Sequence, residues 1–386
     1  VKDFFFFFEF DSKPDILKSG VVVKNTHVHL FDDEIFRDGR LDIVNMDLFA
    51  QPFGGSIRDL HIKAMVNDGL WNGFDVNVDT NLATPELKIV ARLRNKSMTE
   101  KLVRELPVIG EKFWKTYLPT GKFDFICFLD LNNKDNEKKV DYNLNLDIKD
   151  AECTYLKWPF LIKHVNGTLE YSREGIFLRS LKGNVQNEDY EALGEIDAFI
   201  GVGNARKKID INIPNSKITE KLLKMIPEVG EQVWEKYDPK GNIDLSLTYE
   251  SNEDQSVKDY TVKVMCKGVD AKYPNFPYRL TNIVGFLEMD GQNVYFKDMS
   301  GSFFDEVKTN RFTLDGDINL KSKEKRFNLS IPNLNLTEQI IKFIPNKGEE
   351  IWSNNKPKGQ VDLYVNYNGY EDSSKDEYFT KFYMPM

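Results

Sequence analysis

A stretch of about two dozen residues occurs three times in this chain, and it restricts the possible folds more than any other feature. The first copy is Met98-Thr99-Glu100-Lys101-Leu102-Val103-Arg104-Glu105-Leu106-Pro107, followed by Gly110, Trp114, Pro119 and Gly121. The second is Ile218-Thr219-Glu220-Lys221-Leu222-Leu223-Lys224-Met225-Ile226-Pro227, followed by Gly230, Trp234, Pro239 and Gly241. The third is Leu336-Thr337-Glu338-Gln339-Ile340-Ile341-Lys342-Phe343-Ile344-Pro345, followed by Gly348, Trp352, Pro357 and Gly359. Trp114 and Trp234 are 120 residues apart, and Trp234 and Trp352 are 118 apart. A fixed period marks a structural unit that is built repeatedly and stacked on its neighbours. The register extends further: Trp158-Pro159-Phe160 and Gly167 correspond to Phe276-Pro277-Tyr278 and Gly285, and Ile213-Pro214-Asn215 to Ile331-Pro332-Asn333. This predicts four parts. Residues 1–97 form a diverged or partial first repeat, 98–217 a repeat with its helix at 98–117, 218–335 a second, and 336–386 the truncated start of a third.

Between these copies apolar and polar residues alternate, the pattern of a strand with one buried face. Phe123, Phe125, Cys127 and Leu129 share a face, as do Ile243, Leu245, Leu247 and Tyr249, and Val361, Leu363, Val365 and Tyr367. Asp124, Asp244 and Asp362 begin the opposite, water-facing side. Later strands continue in parallel sets: Tyr142, Leu144, Leu146 and Ile148 beside Tyr260, Val262, Val264 and Cys266; Val165, Leu169 and Tyr171 beside Ile283, Leu287 and Met289. Ile176 and Leu178 then match Val294 and Phe296, and Ile209, Ile211 and Ile213 match Phe327, Leu329 and Ile331. About six strands make up a unit. Alternation argues for an antiparallel sheet with one apolar face, because doubly covered parallel strands read as continuous apolar runs. Turns such as Ser172-Arg173-Glu174-Gly175 and Asp290-Gly291-Gln292-Asn293 fit short hairpins. The fold class is mainly β, with one short helix per unit. Thr caps that helix, Glu suits its positive end, and Pro107, Pro227 or Pro345 breaks it. So short a helix covers only part of the apolar face.

Composition removes several functions. With 61 acidic and 52 basic residues the net charge is −9, so the chain lacks the basic surface that nucleic acid demands. Cys127, Cys153 and Cys266 are too few and too scattered for a disulfide framework or a cysteine zinc site. His27 and His29 share a strand face, but a metal site would need His61, His164 or carboxylates brought from afar. The Asp32-Asp33-Glu34 cluster reads as a solvated turn. Glu100, Glu220 and Glu338 recur, and catalysis rarely needs the same residue three times; a helix-start role accounts for them. No GxSxG, Walker A, HExxH or dinucleotide fingerprint occurs, so no enzyme activity, cofactor or metal is expected. No apolar run is long enough to span a membrane as a helix. The Phe4 to Phe8 run and the Lys381 to Met386 end both read as strand interrupted, as in a fragment.

The helix with its proline, the Trp, the Pro-x-Gly entering an alternating strand and the (Trp/Phe)-Pro-(Phe/Tyr) element together resemble the AsmA-like group of long envelope proteins, related to TamB and YhdP. The resemblance covers roughly residues 85–370. It implies an elongated antiparallel sheet curved into a hydrophobic groove that carries phospholipid or another acyl-chain lipid between the inner and outer membranes, contributing to outer-membrane biogenesis. It further implies a periplasmic location, an inner-membrane anchor on a segment absent from this chain, and partners among inner- and outer-membrane proteins. The groove lining would be Phe123, Phe125, Leu129, Leu144, Leu146, Leu169, Leu178, Ile211, Ile243, Leu245, Leu247, Val262, Val264, Leu287, Phe296, Leu329, Val361, Leu363 and Val365. Trp114, Trp234 and Trp352 would anchor the helices or line the groove rim, and both placements suit the sequence. A structural or adhesive β-repeat of the cell surface, its sheets paired face to face, is the alternative; a polysaccharide enzyme is a more distant one.

Overall fold

The computed structural model describes the chain except residues 1–4, 11–14, 18–19, 32–39, 54–55, 68, 82, 84–85, 106–109, 133–138, 155–160, 188–189, 202–205, 225, 227–229, 253–257, 275, 343–347, 371–375 and 384–386. The protein is mainly β: about 71% of it is strand, paired antiparallel, with a few short helices. It divides into two compact units, Val1–Gln186 with Ile196–Ala205, and Asn187–Glu195 with Arg206–Met386.

The first unit holds β1 (Phe5–Phe10), β2 (Asp15–Leu17), β3 (Gly20–Phe31), β4 (Arg40–Phe53), β5 (Ser56–Val66), β6 (Asp75–Asn81) and β7 (Glu86–Ser97). Helices α1 (Glu100–Arg104) and α2 (Gly110–Tyr117) follow, then β8 (Thr120–Asn132), β9 (Lys139–Thr154), β10 (Leu161–Ser172) and β11 (Gly175–Asn187). β1 and β2 pair with the two halves of β3, and from β3 to β11 each strand pairs with the next. The division falls within β12 (Tyr190–Gly201). The second unit holds β13 (Lys207–Lys217), α3 (Glu220–Lys224), α4 (Gly230–Tyr237), β14 (Lys240–Ser251), β15 (Lys258–Lys272), β16 (Arg279–Met289) and β17 (Asn293–Phe304). It continues through β18 (Thr309–Asn319), β19 (Lys325–Asn335), α5 (Glu338–Lys342), α6 (Gly348–Asn355), β20 (Gln360–Gly369) and β21 (Glu377–Tyr383). Consecutive strands from β13 to β21 pair in order.

The helix pairs sit inside hairpins. β7–β8, β13–β14 and β19–β20 are paired neighbours whose connection is two helices instead of a tight turn. The base of each is closed by a backbone bond, from Met98 to Gly121 at 2.8 Å, Ile218 to Gly241 at 2.9 Å and Leu336 to Gly359 at 3.0 Å. Thr99, Thr219 and Thr337 cap the first helices, each hydroxyl accepting the amide three residues on at 3.3 Å, as the sequence predicts. Glu100, Glu220 and Glu338 pair with Arg104, Lys224 and Lys342 one turn later at 2.7, 2.7 and 2.8 Å. The same cations also face Glu111, Glu231 and Glu349 of the second helices, at 3.5, 3.5 and 4.0 Å. The expected broken helix at 98–117 is thus two helices; Pro107, Pro227 and Pro345 lie outside the described residues. Leu118, Asp238 and Lys356, all at φ 42°, end the second helices in the left-handed region. The prolines that follow cannot continue them.

The polar face carries a second recurring device. Register breaks fall at Leu93/Lys96, Ile213/Ser216 and Ile331/Leu334. Within each break an asparagine, Asn95, Asn215 or Asn333, takes φ of 52, 49 or 52°, which asparagine tolerates better than most residues. Pro214 and Pro332 sit in these bulges, among the few strand positions where a missing N–H is harmless. The asparagine amides donate to Asp124, Asp244 and Asp362 at 2.7, 2.6 and 2.7 Å. The same pairing joins Asn25 to Asp47, Ser180 to Asp197, Asn282 to Asp270 and Asp298 to Asp315. Each bulge bends its strand and increases its twist. The aspartates lie on the side opposite the apolar residues, but half-buried, because each is bonded across the pair.

Lys149 and Lys267 add ion pairs to Asp124 and Asp244, at 2.5 and 2.6 Å. The Lys149 hydrogen bond and the Asn95 amide hold the Asp124 carboxyl below its ordinary range. Burial pushes the Asp244 carboxyl up, but Lys267 and the Asn215 amide outweigh it and leave the net shift downward. Asp244→Ala is expected to cost about 1–2 kcal/mol at neutral pH. A carboxyl depressed in the folded state contributes fully above its unfolded pKa, and the contribution fades as pH falls through the folded value. Urea melts of wild type and variant should therefore converge below about pH 4. A gap that stayed constant from neutral to strongly acid pH would show that the charge plays no part.

Candidate functional site

The apolar face is sealed along one edge. In the second unit Leu222 and Leu223 of α3, Val233 and Trp234 of α4, and Ile340 of α5 pack with Ile243, Leu245, Cys266, Ile283, Phe303, Leu334, Val361 and Leu363. The β15–β16 connection fills the space between the helix pairs. Phe276 and Tyr278 lie against Phe303, with ring centroids 5.0 and 5.8 Å away. The Tyr278 hydroxyl donates to Gln339 of α5. At the other end Arg279 donates to the Asp238 carboxylate at 2.9 Å, and Tyr273 stacks on Tyr237 at 6.2 Å. Helices and loop together form a roof. The opposite edge has short turns instead: Asp290 caps the β16–β17 turn by accepting the Gln292 and Asn293 amides, and Asn319 does the same for Lys321 and Ser322.

Burial follows this division on β14 and β20, whereas on β15 and β16 Val262 and Met289, farther from the helices than half-buried Val264 and Leu287, are 2% and 4% exposed. On β14, Ile243 and Leu245 are 1% and 3% exposed, while Leu247 and Tyr249 on the same face are half-buried. On β20, Val361 and Leu363 are buried, and Val365 and Tyr367 are half-buried. The half-buried residues continue from strand to strand. The register aligns Val264, Leu287 and Phe296, and farther along Phe327 faces Tyr367. Phe327 stacks on Tyr367 at 6.3 Å and meets Phe296 edge-on at 5.5 Å. Half-burial of this kind belongs to side chains with apolar neighbours beside them and solvent above.

The first unit is built the same way. Leu102 and Val103 of α1 pack over Phe123, Phe125, Leu146, Ile148 and Leu169. Free space beneath them amounts to about 10 Å³, at the lower limit for one water molecule. This end is a packed core with no room for a ligand. Trp71, Leu70 and Phe74, from the β5–β6 connection, complete it, with Trp71 6% exposed and Phe74 6.4 Å from Phe125. Sequence reading missed Trp71; an aromatic cluster beside Gly69 and Gly73, where a polar turn was due, was the available signal. Beyond the roof, Cys127, Leu129, Tyr142, Tyr171, Ile176 and Leu178 are half-buried. The Tyr142 and Tyr171 hydroxyls meet at 3.3 Å.

Of the nineteen anticipated lining residues, Phe123, Phe125, Leu144, Leu146, Leu169, Ile243, Leu245, Val262, Val361 and Leu363 are buried. Leu129, Leu178, Ile211, Leu247, Val264, Leu287, Phe296, Leu329 and Val365 are half-buried. Trp114 and Trp234 are half-buried against the two cores, and Trp352 is half-buried. The Trp158-Pro159-Phe160 element and the Asp32-Asp33-Glu34 cluster lie outside the described residues. Burial pushes the thiols of Cys127, Cys153 and Cys266 up to about 11, which leaves them protonated and poorly nucleophilic at neutral pH. His29, His61 and His164 each contact an aspartate across a strand pair, Asp42, Asp79 and Asp150, at 2.5, 2.5 and 2.7 Å. Among the described residues no three metal-binding side chains gather, and no helix is long and apolar enough to cross a membrane. Compared with known proteins, the chain matches no family model, no curated protein and no solved structure.

Proposed function

We propose that the protein is a non-enzymatic lipid conduit, in which the half-open apolar face of each unit takes the acyl chains of phospholipid or a similar envelope lipid. Lipid then passes between the inner and outer membranes, with proteins of both as partners, in support of outer-membrane biogenesis. The observation that carries this reading is the division of the face: roofed and packed at the helix edge, and toward the other apolar and, apart from Leu144, Val262 and Met289, half-buried. A methylene gains about 0.8 kcal/mol on leaving water, so a sixteen-carbon chain exposed during transfer faces a barrier on the order of 10 kcal/mol. A strip of Leu247, Val264, Leu287, Phe296, Leu329 and Val365 offers such a chain a lower-energy path. Contiguous apolar surface on a protein commonly marks a binding site.

Native mass spectrometry of the chain after exposure to phospholipid vesicles tests the reading. Wild type should retain phospholipid, and Leu247→Arg and Leu329→Arg, which place a charge on the strip, should retain at least tenfold less while remaining folded. Absence of lipid from wild type would defeat the proposal. Unfolding of both variants would favour a structural array whose faces are sealed.

A further inference from the structure

On two strands of the second unit the apolar row ends in a lysine. The face-sharing residues of β13 run Ile213, Ile211, Ile209 and then Lys207; those of β19 run Ile331, Leu329, Phe327 and then Lys325. Strand alternation places both lysines on the apolar side, at the edge away from the helices. Their neighbours Lys208 and Arg326 point to the polar side, where they pair with Glu250 at 2.8 Å and Asp317 at 2.9 Å. Lys207 and Lys325 make no ion pair among the described residues. Across from Lys207 stands Ser251, 4% exposed, its hydroxyl lacking a hydrogen-bond partner among the described residues. Across from Lys325 stand Ile318 and Gly369. In a chain of net charge −9, two cations at the rim of an apolar strip with no ion pair among the described residues go against the general balance.

A lysine stem can lie along apolar surface with its ammonium at the water boundary, the mirror image of an amphiphile with an anionic head. We propose that Lys207 and Lys325 hold the phosphate of a lipid headgroup while its tails lie on the strip, so that the protein prefers net-anionic phospholipid; this rests on the conduit reading above. The two positions are six strands apart, about 29 Å, and act as successive stations along one face.

The test is competitive retention of phosphatidylglycerol against phosphatidylcholine from equimolar vesicles, read by native mass spectrometry. Wild type should favour phosphatidylglycerol, the ratio falling about fivefold with each of Lys207→Met and Lys325→Met, and toward unity in high salt. Methionine keeps the apolar stem, and the salt series on wild type serves should the variants fold poorly. Bound lipid with a ratio near one in wild type would overturn the headgroup assignment and leave the conduit standing. No bound lipid of either kind would overturn both. Calorimetric binding of inorganic phosphate alone, abolished by the same substitutions, would reassign the lysines to a free-anion site.

Discussion

Leu245→Asp is expected to unfold the second unit, whereas Leu329→Asp, on the same apolar face, should lower the melting temperature by only a few degrees. Leu245 is 3% exposed beneath the α3–α4 roof, in one core with Ile243, Leu222 and Leu223. An aspartate there forfeits the leucine packing, about 2–5 kcal/mol, and strands a carboxylate where no partner or water reaches it, a further cost of several kcal/mol. Together these approach the whole stability of an ordinary domain. Leu329 is half-buried beyond the roof, so a carboxylate at that position turns into solvent and the loss is confined to part of one side chain's burial, about 1–2 kcal/mol. Circular dichroism melts of both variants decide the matter. Equal, large losses would mean that the face is sealed along its full length, leaving no strip for lipid.

The strands and their apolar face were legible because alternation over four or more residues survives any tertiary context that leaves one face wet. Ile243, Leu245 and Leu247 were correctly placed together, as were the capping threonines. Whether a residue on that face is covered was not legible. Leu245 and Leu247 have the same side chain two positions apart, yet the first is buried beneath α3 and α4 and the second is half-buried. The aspartates show a different gap. Asp124, Asp244 and Asp362 stood out as recurrent polar residues, yet their role depends on a left-handed asparagine 29 residues earlier, a pairing visible only once the register is known. Lys207 and Lys325 were hidden for the same reason: each sits beside another basic residue, and only strand parity separates the cation spent on the polar face from the one left on the apolar side.

Gly230→Ala should lower the melting temperature by several degrees, although glycine to alanine at a helical position ordinarily stabilises by up to about 1 kcal/mol. The sign reverses because α4 begins pressed against the end of α3. A Cβ on Gly230 would lie 1.8 Å from the Leu223 carbonyl oxygen and 2.7 Å from its carbon. Both are backbone atoms, so relief requires α4 to move away by more than an ångström, and Val233 and Trp234 go with it, uncovering Leu222 and Leu223. Overpacking of this kind costs about 1–3 kcal/mol, and each kcal/mol is worth roughly 2–4 °C in a unit of this size. Gly110 and Gly348 stand in the same relation to Val103 and Ile341, with carbonyl oxygens 2.0 and 2.1 Å from the added atom. Alanine at either should act alike, and losses from sites sharing no partner should add. Glu231→Ala, at the exposed next position, is the control and should change melting little. Unchanged melting of Gly230→Ala would show that the helix pair can separate without cost, and the packed roof over Leu245 would lose its physical basis.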